Sequence, residues 1–277
     1  MNGLTGKWII GEISVRRMLV SLIEIYVCVL VFAWFFSDRM IFQPQAPSYR
    51  EGGDFYRIPV TPSEKIGILA LVNPAATWTV LHCHGNAEDI GETRDFLEQY
   101  RARGFQVYAF DYRGYGISDG RPGTAKSCED GEAALNHLVK DKGIPLNRII
   151  IHGRSVGAGI AAHLAAKFKV GGVVLESPFV TAFRVRTVIP VAPFDKFCNN
   201  RRVREMTSPL LVVHGADDEV IPAWHGRALY GSARVPKLAY WVPGAGHNDV
   251  PMVAGAEYWR RIGELADLAA SEPMFKP

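Results

Sequence analysis

The sequence predicts a protein of the α/β class, with a mostly parallel central sheet and helices on both of its faces. Three features lead to this prediction. Short apolar runs recur along the chain, stretches with helical periodicity separate them, and glycine-rich turns stand between the two. The apolar runs lack alternating polar positions, as expected of strands buried on both faces of a parallel sheet. Such sheets place their active sites outside the carboxyl ends of the strands.

The first element is an apolar run that predicts one transmembrane helix. The run from Met18 to Phe36 is interrupted only by Ser21 and Glu24, and it is long enough to cross a bilayer. We therefore assign residues 1–17 to a tail and 18–37 to the anchor. A cleavable signal peptide is the main alternative, but no small-x-small cleavage site follows the run. A buried core helix would need an amphipathic face, which the run lacks.

We expect the anchor to stay uncleaved, which makes the protein a single-pass membrane protein with the bilayer as a partner. Lys7, Arg16 and Arg17 precede the anchor and weakly favour a cytoplasmic N-terminus over the side that holds Arg39 and Arg50. The rest of the chain would then lie outside the cytoplasm.

The chain after the anchor predicts a linker over residues 38–54 and one domain over residues 55–277. Helical periodicity covers residues 93–104, 128–143 and 159–168 of this domain. Residues 177–209 form a short cap insertion that is expected to leave the site open. Six strands are expected, at Thr79–Cys83, Val107–Asp111, Ile149–Gly153, Gly172–Glu176, Leu210–Gly215 and Leu238–Val242.

The charge and the cysteines exclude several classes of function. The net charge of +3 arises from 31 basic and 28 acidic residues spread along the chain, so no nucleic-acid partner is expected. The four cysteines form no C-x-x-C pair and are far apart, which predicts neither a metal site nor a disulfide framework. We expect no cofactor, and the sequence does not indicate an oligomeric state.

The motif G-x-S-x-G is the first sign of chemistry. Ser155 lies between Gly153 and Gly157, directly after a predicted strand and before a predicted helix. A sharp strand-to-helix turn of this kind strains the serine backbone and exposes its Oγ as a nucleophile. The two glycines are required because a Cβ at either position would clash across the turn. Glycine-serine turns are common by chance, and the flanking strand and helix are what favour the catalytic interpretation.

A serine nucleophile needs a base and an acid, and residues of both types follow in the expected chain order. His247 lies in a glycine-rich loop after the last predicted strand and is our candidate base. The acid is Asp218 or Asp217, which both follow the strand that ends at Gly215, and we prefer Asp218. A solvated aspartate that caps the next element is the alternative for either residue.

Two backbone N–H groups are the candidates for an oxyanion hole. Val156 follows the nucleophile at the start of a helix, where the helix dipole favours negative charge. Asn86 stands in the loop after the strand Thr79–Cys83. The alternative is that His84, Gly85 and Asn86 form an ordinary turn.

These motifs together resemble the α/β-hydrolase superfamily. Residues 84–91, 111–120, 152–159, 207–222 and 244–249 read "HGNAEDIG", "DYRGYGISDG", "HGRSVGAG", "TSPLLVVHGADDEVIP" and "GAGHND". Their order and spacing are most similar to the α/β-hydrolase-domain protein depalmitoylases and their bacterial relatives, and the resemblance covers roughly residues 55–265.

The resemblance implies an α/β-hydrolase fold with Ser155 as nucleophile, Asp218 as acid and His247 as base. It also implies Asn86 and Val156 in the oxyanion hole, and an ester or acyl thioester as substrate. The chain departs from the depalmitoylases at its N-terminus, where a transmembrane run with one cysteine, Cys28, replaces their acylated cysteine-rich segment.

Three functions follow from this pattern. The preferred one is a membrane-anchored serine hydrolase that cleaves carboxylic esters or acyl thioesters through an acyl-enzyme. The alternatives are a peptidase of the prolyl-oligopeptidase type, which shares fold and triad, and a non-catalytic membrane scaffold. The chain has no propeller-sized N-terminal domain, and a fold alone cannot choose the substrate.

Overall fold

A computed structural model describes residues 15–271, and the chain divides into two units with the boundary between Met40 and Ile41. Helix α1, Val15–Ile41, lies in the first unit except for its last residue, and it is long and apolar enough to cross a membrane. This helix extends beyond the predicted span of residues 18–37 at both ends. It ends shortly before Pro44, since the residue that precedes a proline disfavours helical backbone. The first 14 residues of the predicted tail lie outside the described part of the chain.

The second unit is built on one sheet of eight strands in the order β1-β2-β4-β3-β5-β6-β7-β8. The first two strands pair antiparallel, β2 pairs antiparallel with β4, and every other pairing is parallel. The strands are β1 Phe55–Pro59, β2 Lys65–Leu71, β3 Thr79–Cys83, β4 Gln106–Phe110, β5 Ile149–Arg154, β6 Gly172–Glu176, β7 Leu210–Gly215 and β8 Lys237–Val242.

Helices cover both faces of this sheet, as the sequence predicts. One buried cluster joins the sheet to α3, α4, α5 and α6, and a second cluster joins its other face to α2, α7 and α8. The helices are α2 Arg94–Arg101, α3 Thr124–Lys140, α4 Val156–Lys167, α5 Asn199–Glu205, α6 Trp224–Ser232, α7 Val250–Ala254 and α8 Ala256–Ser271, with 3₁₀ turns at Leu146–Arg148 and Phe183–Val185.

The six predicted strands are present within one residue of their predicted ends, and β1 and β2 are two strands that the prediction missed. The segment "FYRIP" forms β1 at the sheet edge, where most of its residues are partly exposed. β2 carries a glycine, Gly67, and begins with the exposed Lys65. Both segments are therefore less uniformly apolar than the six predicted strands.

Residues 41–54, within the predicted linker, have no regular secondary structure after Ile41 but are bonded to the domain. Phe42 is only 3% exposed and contacts Tyr112 and Phe197 through its ring. Ser48 and Tyr49 hydrogen-bond to Asp89 and Asp111. The segment is thus packed onto the loops at the carboxyl end of the sheet.

Candidate active site

The turn predicted to be a nucleophile elbow has the strained geometry that its glycines permit. β5 ends at Arg154, α4 begins at Val156, and Ser155 between them has φ 52° and ψ −117°. A Cβ on Gly157 would overlap the carbonyl oxygens of Cys83 and His84. Glycine is therefore required at 157 because α4 lies against the end of β3.

A Cβ on Gly153 would overlap the carbonyl of Gly157 and the side chain of Ala161. Glycine at both positions lets the backbone turn tightly enough to present the Ser155 side chain above the sheet.

Three loops bring Ser155, His247 and Asp218 together. The Ser155 Oγ lies 3.0 Å from His247 Nε2, and His247 Nδ1 lies 2.8 Å from Asp218 Oδ2. These residues follow β5, β8 and β7, so parallel strands deliver all three side chains to one edge of the sheet. Asp218 is 6% exposed and His247 is 7% exposed, so little water competes for these hydrogen bonds. The arrangement can move a proton from the hydroxyl to the imidazole.

The Asp218 carboxylate is held by more than its histidine partner. Its Oδ1 accepts hydrogen bonds from the backbone N–H groups of Val220 at 2.9 Å and Ile221 at 2.7 Å, and His214 Nε2 lies 3.2 Å from Oδ2. Burial raises the pKa of Asp218, but the bonds from His214, His247 and Ile221 outweigh it and hold this pKa well below the usual value of 3.8. Asp218 is therefore a carboxylate at neutral pH.

Asp217 points away from this cluster. Its side chain is exposed, and its backbone N–H donates to the carbonyl of Ala245 at 3.0 Å. The structure thus places the preferred residue of the pair, Asp218, against His247.

The two candidate oxyanion donors lie at the same edge of the sheet, after β3 and β5. Neither the Asn86 N–H nor the Val156 N–H donates a hydrogen bond to any group in residues 15–271. Val156 opens α4, where the first amides have no partner within the helix. Asn86 is followed by Ala87 in a left-handed conformation, with φ 56°.

A bridge of polar side chains, which the sequence analysis missed, links the three loops of the site. Arg154 donates to both carboxylate oxygens of Glu88 at 2.9 Å and to Asn248 Oδ1 at 2.9 Å. Glu88 in turn accepts from the backbone N–H of Gly85 at 2.5 Å. The bridge therefore fixes the loop after β3, the elbow and the histidine loop relative to one another. Arg154 and Asn248 neighbour the predicted residues Ser155 and His247, but no sequence pattern marks their pairing through Glu88.

A cavity of about 680 Å³ borders this bridge on the face of α2 and α8, and neither Ser155, Asp218 nor His247 lines it. Its wall includes the aromatic rings of Phe96 and Trp259. His82 also lines the cavity, and burial lowers the pKa of His82 well below 6.5, so that this imidazole is neutral. Both ring nitrogens of His82 lack a hydrogen-bond partner in the described residues.

The cap insertion is short and partly apolar at its surface. Val188 and Ile189 are 77% and 67% exposed, between the 3₁₀ turn at Phe183–Val185 and α5. Among its basic residues, Arg202 donates to the carbonyl of Gly159 at 2.9 Å and is therefore committed to the domain.

Comparison with known proteins supports the fold and the class of enzyme. A family model described as "Serine aminopeptidase, S33" matches residues 74–198. The chain is 38% identical over 196 residues to the human alpha/beta hydrolase domain-containing protein 17B, covering 70% of this chain and 67% of that protein. It is 35% identical over 198 residues to protein 17C of Xenopus tropicalis, covering 70% of this chain and 63% of the other.

Solved structures confirm the fold at lower identity. The esterase Pf2001 of Pyrococcus furiosus aligns with a TM-score of 0.66 at 20% identity, over 81% of this chain and 99% of its own. The esterase RhEst1 from Rhodococcus aligns with a TM-score of 0.61 at 16% identity, over 79% of this chain and 99% of its own.

The fold and its relatives define the class as an α/β-hydrolase, and the enzyme as a serine hydrolase of esterase type. Within that class, the chain belongs to the family of the alpha/beta hydrolase domain-containing proteins 17. The resemblance predicted from the motifs is therefore confirmed. These relatives support the predicted serine hydrolase over the alternative of a non-catalytic scaffold.

Proposed function

We propose that this protein is a membrane-anchored serine hydrolase that cleaves carboxylic esters or acyl thioesters through an acyl-enzyme on Ser155. The observation that carries the proposal is the continuous chain of contacts from the Ser155 hydroxyl through His247 to the buried Asp218 carboxylate. A serine hydroxyl is a poor nucleophile at neutral pH unless a base takes its proton. This arrangement supplies that base and an anion that holds its orientation.

In the first half of the reaction, Ser155 Oγ attacks the substrate carbonyl carbon while His247 Nε2 takes the hydroxyl proton. The carbonyl oxygen becomes an oxyanion, and the N–H groups of Asn86 and Val156 donate to it. When this intermediate collapses, the carbon–oxygen or carbon–sulfur bond to the leaving group breaks. The leaving alcohol or thiol takes its proton from His247, which leaves the acyl group esterified to Ser155.

In the second half, water repeats these steps in place of Ser155. His247 removes a proton from the water, the resulting hydroxide attacks the acyl carbon, and the Ser155 oxygen leaves and recovers its proton from His247. Asp218 remains ionised throughout and stabilises the imidazolium that forms twice in each cycle. The products are a carboxylic acid and the regenerated enzyme.

The membrane part of the proposal rests on α1 and on the surface of the cap insertion. α1 has the length and composition of a membrane span, and an anchored enzyme meets acyl chains held in the same bilayer. Val188 and Ile189 expose apolar surface on the insertion, as a contact with lipid or with an acyl chain requires. The basic residues before α1 favour a catalytic domain outside the cytoplasm.

A serine-directed probe tests the nucleophile. Ser155→Ala is expected to abolish both ester hydrolysis and labelling by a fluorophosphonate while the variant keeps its thermal unfolding transition. Ser177→Ala is the matched control, because Ser177 also has a left-handed backbone, with φ 44°, at the end of the neighbouring strand β6. Wild-type turnover by Ser155→Ala, or lost labelling in Ser177→Ala alone, would move the nucleophile away from Ser155.

A substrate panel tests the reaction class. Medium-chain acyl esters, acyl thioesters and aminoacyl amides, each offered to the full chain in detergent, separate the proposed activity from peptide hydrolysis. The peptidase alternative is kept because of the description of the matched family model, and because Glu88, Glu92 and Glu176 line the neighbouring cavity. Turnover confined to the amides would replace the proposal by that alternative.

Protease protection tests the orientation. In sealed vesicles with the cytoplasmic face outward, the catalytic domain is expected to resist an added protease until detergent opens the vesicle. Degradation of the domain before detergent would place it in the cytoplasm.

A further inference from the structure

The loop that carries the Asn86 amide is fastened by the chain that directly follows α1. We call residues 41–49 the strap. The Asn86 side chain donates from Nδ2 to the carbonyl of Ile41 at 2.7 Å, and its Oδ1 accepts from the backbone N–H of Gln43 at 2.9 Å. Tyr115 completes the cluster, since its hydroxyl donates to Asn86 Oδ1 at 2.6 Å and accepts from the Gln43 N–H at 2.9 Å. Both the nitrogen and the oxygen of the Asn86 side-chain amide are thus hydrogen-bonded to the strap.

The conformation of this loop needs such fastening. Ala87, the residue after Asn86, has φ 56°, a region that side-chain-bearing residues rarely occupy. Strained backbone of this kind persists where the surroundings over-determine it. Asn86 Oδ1 also accepts from the Ala87 N–H at 3.0 Å, so one side-chain oxygen joins the strained residue, the strap and Tyr115.

The strap is itself held at two further points. Phe42 is buried beside Tyr112, whose hydroxyl donates to the carbonyl of His84 at 2.6 Å, at the start of the same loop. At the far end of the loop, the backbone N–H of Ser48 donates to Asp89 at 2.7 Å. Asp89 also accepts from the N–H groups of Gly91 and Glu92, which fixes the turn into α2.

From these contacts we infer that the strap is a positioning element of the oxyanion hole. Ile41, Gln43 and Tyr115 hold the Asn86 side chain, and through it they aim the Asn86 backbone N–H at the oxyanion. The inference rests on the function proposed above, because it assigns the strap to that same site. The segment that the sequence predicts as a linker then positions a catalytic group, and activity depends on the residues that directly follow α1.

The inference predicts a specific kinetic signature. Asn86→Ala keeps the backbone N–H but removes every bond between this residue and the strap. The expected result is a fall in kcat of about 100-fold, the lower end of the effect of losing an oxyanion donor, with KM changed by less than about twofold. Tyr115→Phe removes one of the bonds and is expected to lower kcat by about 3- to 10-fold.

A transition-state analogue separates positioning from simple structural support. A trifluoromethyl ketone adds to the nucleophilic serine and places an oxyanion in the hole, so its inhibition constant should rise in proportion to the loss of kcat/KM. All variants are measured as the full chain in detergent, together with their thermal unfolding. Tyr56→Phe is the matched control, because it deletes a half-buried tyrosine hydroxyl bonded to His137 at 2.9 Å, outside the site, and should leave kcat and inhibition unchanged.

Two results would overturn the inference: a folded Asn86→Ala enzyme with kcat within twofold of wild type, or a fall in kcat without weaker inhibition by the ketone. If Asn86→Ala does not fold, Tyr115→Phe decides by the same two criteria. Ser155→Ala distinguishes this failure from that of the proposed function. An active Ser155→Ala enzyme removes the proposed function, whereas an inactive one beside a normal Asn86→Ala enzyme removes only the role of the strap.

Discussion

Replacing Asp218 by asparagine changes one atom at the point where His247 is held. An amide offers one oxygen and one NH₂ group where the carboxylate offers two oxygens. The backbone N–H groups of Val220 and Ile221 both require an acceptor at the Oδ1 position. The asparagine oxygen is therefore expected to stay with these two donors, which leaves its NH₂ group facing His247 Nδ1.

That orientation forces the wrong tautomer of the imidazole. With an NH₂ donor 2.8 Å away, Nδ1 must accept, so the ring proton moves to Nε2 and faces the Ser155 hydroxyl. A protonated Nε2 cannot take the serine proton. For an enzyme with the same arrangement, this replacement lowers kcat by about 10⁴-fold, which corresponds to about 5 kcal/mol of lost transition-state stabilisation. We expect a loss of this order here.

The assay is hydrolysis of a short soluble p-nitrophenyl ester by Asp218→Asn, with Asp217→Asn as the matched control. Asp217 is exposed and contacts neither His247 nor Ser155, so its variant should keep kcat within about twofold of wild type, as surface substitutions usually do. Retention of more than a tenth of wild-type kcat by Asp218→Asn would refute the tautomer argument. A larger loss of kcat in Asp217→Asn than in Asp218→Asn would show that the acid is Asp217.

Three further predictions follow from the same geometry. Gly157→Ala should abolish folding or lower the free energy of unfolding by about 3 kcal/mol or more in urea titrations, because its Cβ would overlap the carbonyl oxygen of Cys83. Gly231→Ala is the control, because its Cβ would meet open space, and it should not lower the free energy of unfolding. The lowered pKa of Asp218 contributes stability above pH 3.8 that is lost as pH falls further, so wild-type stability should fall more steeply than that of Asp218→Asn in acid titrations. Deleting residues 1–40 should give a soluble enzyme with wild-type turnover of a soluble ester. Deleting residues 1–49, which also removes the strap, should remove that turnover. Equal activity of the two truncated proteins would contradict the role of the strap.

The sequence predicts most of the sheet because strands that are buried on both faces appear in it as uninterrupted apolar runs. The strands from β3 to β8 are apolar nearly throughout, and the turns after β3, β5, β7 and β8 carry the candidate site residues. The sequence also brings Ser155, Asp218 and His247 into one hypothesis, since parallel strands deliver their carboxyl ends to a common edge. It misses β1, an edge strand that is mostly partly exposed, and β2, which lies beside β1, begins with the exposed Lys65 and contains Gly67.

The contacts that the sequence does not reveal join residues far apart along the chain. Arg154 and Glu88 are separated by 66 residues, and Gln43 and Asn86 by 43, and neither pair has a periodicity that marks it. Residues 41–49 are rich in proline and glutamine, a composition typical of a solvated connection, so their hydrogen bonds to the domain are visible only in three dimensions.

The left-handed backbone at Ser155 lowers the free energy of unfolding at the position that the proposed catalysis requires. A residue with a Cβ in this conformation costs about 1–2 kcal/mol that glycine would not. Glycine at 155 would relieve this strain but would lack the hydroxyl that the proposed acyl-enzyme requires, so a gain in stability at this position would be expected to cost activity. Alanine at 155 keeps the strain and preserves the shape of the elbow, which makes that variant the appropriate one for trapping bound substrate. The difference in unfolding free energy between the alanine and glycine variants measures what the elbow conformation costs the fold.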